Sequence, residues 1–275
     1  MTLSTIRNNP AKQKKVKTKK QKAIAATCAV AFWLLLWHVV SLCVGSELVL
    51  VSPVKVVQTL FTVIFDPDFL KTVWYSAARI LGGFFTALTL GTVLGWVASR
   101  FWVVETLLRP ITAVIKATPV ASFIILVLLW FSGKNLSVII SMLMVFPVIY
   151  MNVLEGIRSA DEKLLEMAQA FRLSVGKKLL YIYLPAVAPF FVSACSVSLG
   201  LCWKSGIAAE VIGTPDGSIG AVFYQAKIFL QTSELLAWTV VVVAVSVAFE
   251  KLFMFLLRLV LKKLKMEDVL NGKRA

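Results

Sequence analysis

Residues 164–186 read LLEMAQAFRLSVGKKLLYIYLPA, and the fold turns on what so mixed a stretch does between two long apolar runs. Leu164, Ala168, Phe171, Val175, Leu179 and Ile182 recur at steps of three and four residues, an apolar stripe with helical period. Glu166, Gln169, Arg172, Lys177 and Lys178 occupy other faces. Leu184-Pro185 closes the stretch, since proline in the first turn of a following helix gives up an N–H that has no partner there anyway. Pattern alone leaves two readings open: an amphipathic segment lying among lipid headgroups, or a helix pair that projects toward a partner.

The chain around this stretch is greasy. It has 275 residues, 59% hydrophobic and only 16% charged, more apolar side chain than a soluble domain of that length buries. Only closed hydrogen-bonded structures cross a bilayer, and runs of this length do so as helices, so the expected fold class is an all-α polytopic membrane protein. Five runs are long enough, or nearly so, to cross ~30 Å of hydrocarbon: Ala23 to Val44, Ile80 to Ser99, Leu136 to Leu154, Ala186 to Trp203, and Leu235 to Leu257. A sixth, Pro119 to Phe131, reaches only about 20 Å at ~1.5 Å per residue. It is expected to be tilted, extended by Ile111 to Thr118, or lined by protein rather than lipid.

The basic residues set an orientation, because Lys and Arg are retained on the cytoplasmic side of short loops. With six spans and the N-terminus inside, 22 of the 29 Lys and Arg fall in inside segments (1–22, 100–117, 155–184, 258–275) and 5 in outside segments (45–78, 133–135, 204–234). Both termini are therefore expected in the cytoplasm. The net charge of +15 is then topological, and the run KQKKVKTKKQK, Lys12 to Lys22, reads as a lipid-facing anchor that needs no nucleic acid. The expected organisation is a basic tail over 1–22 and one transmembrane domain over 23–275, with the mixed stretch in a cytoplasmic segment, 161–184. Ala23 to Val44 is too long for a cleavable signal and reads as a retained span. Cys28, Cys43, Cys195 and Cys202 fall in or at the ends of spans without a CxxC, which suits packing rather than disulfides or metal.

Smaller features follow. Ser52-Pro53 offers a helix cap, and Val56, Val57, Leu60, Phe61 and Ile64 at helical spacing predict a short amphipathic helix ended by Asp66-Pro67-Asp68. Gly91 and Gly95 form a GxxxG, with Gly82 and Gly83 earlier, predicting close helix packing within the bundle or at a subunit seam. Pro147 is expected to kink the fourth span.

At the opening stretch the sequence resembles the membrane subunit of binding-protein-dependent ABC importers, whose cytoplasmic signature is E-A-A, three residues, G, nine residues, I-x-L-P. Glu166-Met167-Ala168, then Gln169 to Phe171, Arg172, nine residues and Ile182-Tyr183-Leu184-Pro185 keep that spacing. Met167 replaces alanine and Arg172 replaces the glycine that turns the chain between two short helices, so the bend falls either on Arg172 or on Gly176. SPVKV (Ser52 to Val56), RILGGF (Arg79 to Phe84) and WKSGIAAEVIGTPDGSIG (Trp203 to Gly220) look like the subfamily that imports nitrate, sulfonates, taurine, bicarbonate and some vitamin precursors. The resemblance implies a type I ABC importer-like permease of the bacterial inner membrane. Glu166, Met167, Ala168, Phe171, Arg172 and Gly176 would form the coupling helix in a groove of a separate cytoplasmic ATPase. It further implies a second permease chain, identical or related, and an extracytoplasmic substrate-binding protein. The cargo would be a small solute, anionic or like a vitamin precursor. ATP and magnesium would bind the partner ATPase and no cofactor this chain, which contains no G-x-x-x-x-G-K-[ST].

Ionisable groups at membrane depth usually face a cavity or a partner. Trp203, Lys204 and Glu210 are therefore expected to line the outer part of a substrate pathway, Lys204 attracting an anion; the alternative is a Lys204–Glu210 pair or a lysine that reaches to the interface. Glu250 and Lys251, adjacent on a helix, point apart and call for a structural partner on a neighbouring span. No HExxH, GxSxG or nucleophile–base set is present, so an intramembrane enzyme is not expected. Two other classes stay open, an ion-coupled secondary transporter using Glu250 and a membrane scaffold, and neither accounts for the spacing of the opening stretch.

Overall fold

The computed structural model describes residues 19–264, with side chains from residue 24 onward. Most of the basic run Lys12 to Lys22, and the basic residues beyond 264, lie outside the described residues. Every regular element among those described is a helix, and they form two compact units, Met1–Lys55 and Val56–Ala275.

The first unit holds α1 (Lys19–Val44), of which Ile24–Val44 is long and apolar enough to cross a membrane, and the start of α2 (Pro53–Ile64). Ser52 Oγ accepts the Lys55 N–H at 3.4 Å, the expected cap. The rest of α2 belongs to the second unit, where its inward face, Leu60 and Val63, packs with Ile219, Trp238 and Val241.

The centre of the second unit is three long helices, α3 (Phe69–Arg100), α6 (Gly133–Arg158) and α9 (Leu184–Gly213). Ile80, Phe84, Val145, Ile149, Leu199, Cys202 and Trp203 interlock between them with almost no exposure. Lipid is as apolar as these side chains, so contact density rather than the hydrophobic effect holds them together. Small residues make that density possible. A Cβ on Gly83 would stand 2.4 Å from the Val138 carbonyl oxygen, and one on Gly91 2.9 Å from Ile149 Cβ. The GxxxG of α3 is thus spent inside the chain, against α6, while the Gly82 Cα faces open space. Gly206 does the same for α9, a Cβ there coming within 2.7 Å of Ser141 Oγ.

Two boundaries differ from the sequence reading for one reason: hydropathy marks the part of a helix matched to hydrocarbon, while the backbone goes on hydrogen-bonding beyond it. α3 begins at Phe69 rather than Ile80, and α9 runs ten residues past Trp203. Lys204 and Glu210 therefore stand on the helix and not in an outer loop. Pro147 lies inside α6.

The short sixth run does not continue in a straight line from Ile111 to Thr118. α4 (Trp102–Ala117) and α5 (Val120–Trp130) meet at 110°. Thr118 is forced into extended backbone (φ −82°, ψ 133°) by the proline after it. Ile124 and Val127 of α5 pack against Leu136, Ile140, Met144 and Ala209, so the run is lined by protein on one side. Five helices among the described residues are long and apolar enough to span, or six if the bent pair counts as one. The last described elements are α10 (Ile219–Ile228) and α11 (Thr232–Lys263), with α11 against α9 and α10.

Candidate functional site

α7 (Glu162–Ala170) opens with Asp161, whose carboxylate accepts the Lys163 N–H at 2.9 Å, a cap worth about 1 kcal/mol. It closes at Arg172. There φ is +48°, the Arg172 N–H donates to the Gln169 carbonyl at 3.0 Å and the Leu173 N–H to that of Ala168 at 2.9 Å, a left-handed helix stop that normally takes glycine. Arg172 therefore makes the turn itself. Gly176, the alternative, lies within α8 (Val175–Lys178), outside any left-handed backbone, and does not carry the bend. Left-handed backbone costs an arginine about 1–2 kcal/mol, offset by the two bonds and by Leu173 packing into the cluster around Ala168.

The single stripe of the sequence does not stay on one face. Ala168, fully buried, and Ile182 pack inward with Ala160. Leu164, Met167, Phe171 and Val175 face out, Phe171 74% and Val175 80% exposed. Glu166 and Arg172 are exposed beside them. The result is a firm knob whose base is apolar core and whose tip is apolar and uncovered. A π-helical stretch, Leu179–Tyr183, joins α8 to α9 without a break.

The three residues expected on a substrate pathway separate. Trp203 is 2% exposed in the core and Glu210 fully buried, while Lys204 faces outward on α9. No Lys204–Glu210 ion pair occurs among the described residues. Glu210 Oε2 instead accepts the Ser76 hydroxyl at 2.6 Å and the Gly220 N–H at 3.4 Å. The Ser76 oxygen accepts the Ile219 N–H at 2.9 Å. A buried carboxylate needs such donors, and Arg79 and Ser137 stand beside it. Ser76, Ser137 and Gly220 were missed by sequence reasoning; the signal present was the seven-residue step from Trp203 to Glu210, which returns to one helix face and leaves Lys204 off it.

Glu250 finds the structural partner expected of it on a neighbouring helix: Ser196 Oγ of α9 donates to its Oε1 at 2.8 Å. Both border an open cleft of about 370 Å³ that Lys251 and Arg258 also line. At the α7 end of α6, Arg158 bonds Glu105 of α4. Among the described residues no three His, Cys, Asp or Glu side chains gather to hold a metal ion.

The described residues form an all-helical bundle in which α7 and α8 lie between two long apolar helices, and comparison with known proteins supplies the family. The model of the family described as "binding-protein-dependent transport system inner membrane component" matches residues 87–266. The chain belongs to that family. It is similar to the putative aliphatic sulfonates transport permease of Bacillus subtilis, 29% identical over 214 residues and 77% of each chain. The taurine transport system permease of Escherichia coli is 27% identical over 220 residues, 78% of this chain and 80% of that one. A nitrate import permease of Synechocystis is 24% identical over 214 residues, 74% and 76%. This binding-protein-dependent permease is therefore a multi-pass inner-membrane component of an ABC transporter, not itself a catalyst. A system of this kind includes an ATPase, which binds the ATP, and a substrate-binding protein. Membership also decides against the ion-coupled and scaffold readings.

Proposed function

We propose that α7 and α8 are the coupling element of this permease and seat in a groove of the cytoplasmic ATPase. The observation that carries it is the tip, where Leu164, Met167, Phe171 and Val175 are exposed together on an element held rigid by Asp161, Ala168 and Arg172. Apolar and aromatic side chains on a preformed element are what a protein groove rewards; a segment that only floated on headgroups would not need its far end capped. Magnesium and ATP act on the ATPase, and its closure would be passed to the membrane through this knob, with α3, α6 and α9 around a pathway completed by a second permease chain. Glu166→Lys is expected to leave insertion intact and to cut ATPase co-purification in mild detergent at least tenfold. Unchanged recovery of the ATPase and unchanged uptake would remove the assignment.

The cargo we infer is a small anion or a zwitterion with an anionic head, as in the names of the sulfonate, taurine and nitrate permeases it resembles. Lys204 is the residue suited to attract it, a cation exposed on the face of α9 turned away from Trp203 and Glu210. A charged hydrogen bond is worth about 1.5–3 kcal/mol, so Lys204→Gln is expected to lower uptake of the cognate anion roughly ten- to a hundredfold with ATPase assembly intact. Normal uptake in that variant would end the role.

A further inference from the structure

Glu210 is fully buried, bonded on one oxygen, and left without a task by the reading so far. Its Oε1 makes no hydrogen bond of normal geometry, with the buried Ser137 hydroxyl and the Arg79 guanidinium standing near it. A carboxylate half-paired in the interior is costly to keep. What it joins is specific. Through Oε2 it holds Ser76 of α3 and the Gly220 N–H of α10, and through the Ser76 oxygen it also fixes the Ile219 N–H. A Cβ on Gly220 would lie 2.2 Å from Glu210 Cβ, so the first turn of α10 sits directly on α9 at this residue. Ser218, fully buried, caps that same turn by accepting the Ala221 N–H at 3.0 Å. Three helices thus meet on one side chain.

The other end of α9 bears on the ATPase knob. Helix is continuous from Val175 to Gly213, so Glu210 stands roughly 50 Å along the rod from the Arg172 turn at ~1.5 Å per residue. A rod passes on a displacement only if its far end is fastened to what must move, and hydrogen bonds of this kind are either made or broken, which gives the fastening discrete states.

We propose that Glu210 is a positioning residue, the joint through which movement of α7 and α8 reaches α10 and α3 at the far end of the bundle. The inference rests on the reading of α7 and α8 as the ATPase contact. Its failure is separable, because Glu166→Lys tests ATPase binding while variants at the joint are tested with the ATPase bound.

The experiment uses the complete transporter, permease with its ATPase and binding protein, in proteoliposomes. Glu210→Ala is expected to co-purify the ATPase normally and to lose at least tenfold in both uptake and the stimulation of ATP hydrolysis by loaded binding protein. Glu210→Gln keeps an oxygen for Ser76 and should retain at least half of both. Hydrogen exchange at the Ile219 and Gly220 amides should speed up at least tenfold in Glu210→Ala and little in Glu210→Gln. Should Glu210→Ala fail to accumulate, Ser76→Ala, which deletes the bond to Oε2 and the acceptor for Ile219, decides by the same readings. Uptake and stimulation within twofold of the unaltered transporter, in whichever of these two variants assembles, would overturn the joint.

Discussion

Arg172 occupies left-handed backbone that its Cβ disfavours, and nothing in the turn itself demands an arginine, since its backbone N–H makes the bond. Arg172→Gly should therefore raise the thermal unfolding midpoint in detergent, with a gain of about 0.5–1 kcal/mol after glycine's own entropy cost. Arg172→Val, β-branched, should lower it and weaken ATPase recovery. A glycine variant less stable than the arginine would mean that the side chain supports the knob in some other way. The same residue shows what the sequence could and could not reveal. Spacing narrowed the turn to Arg172 or Gly176, because motif geometry is local. Which of Arg172 and Gly176 bends was open, because that choice depends on Leu173 and Ala168 packing beneath the turn. At Glu210 the helical period could have placed it with Trp203 had the span been carried past that residue, but its partners Ser76 and Gly220 come from other elements, and no local rule pairs residues 134 apart.

At the scale of elements, α3 and α6 test the claim that close approach, not apolarity, builds the core. Gly82 and Gly83 are neighbours in sequence and opposites in space: a Cβ at Gly82 meets nothing within 4 Å, one at Gly83 meets backbone. Gly83→Ala should cost about 1–3 kcal/mol as an overpacked contact, seen as a lower unfolding midpoint and less protein in the membrane fraction, whereas Gly82→Ala should change neither. Equal effects would mean that α3 and α6 are not seated as described. Long spans of this kind were legible because runs of apolar residues are their own signal. The 110° bend between α4 and α5 was not, since Pro119 announces a break but the direction after it is set by Leu136, Ile140 and Met144. The knob also belongs to this scale. Phe171→Asp puts a charge on its tip without touching the Ala168 base, and should reduce ATPase recovery about as much as Glu166→Lys while leaving the unfolding midpoint of the permease unchanged. A fall in that midpoint would make the tip part of the core instead.

For the whole molecule the open quantity is direction. α9 is 30 residues long, about 45 Å at ~1.5 Å per residue against ~30 Å of hydrocarbon, so if it spans, the knob before it and the α10–α11 turn after it lie on opposite sides of the membrane. On the six-span reading of the sequence, 22 basic residues fall on the knob's side and 5 on the other, and the expectation that the knob is inside rests on that excess, since translocating each cation is expensive. An impermeant thiol reagent reads the direction. Cys195 and Cys202 are buried, so replacing the exposed Cys28 and Cys43 by serine leaves a quiet background. Val175→Cys, 80% exposed on the knob, should react only after permeabilisation, and Phe229→Cys, 70% exposed at the turn between α10 and α11, should react on cells whose inner membrane is intact. The reverse pattern would place the knob outside, away from any ATP, and the coupling assignment would fall with it. Reaction of both from one side would mean that α9 does not cross, and the rod joining the Arg172 turn to Glu210 would lose its purpose.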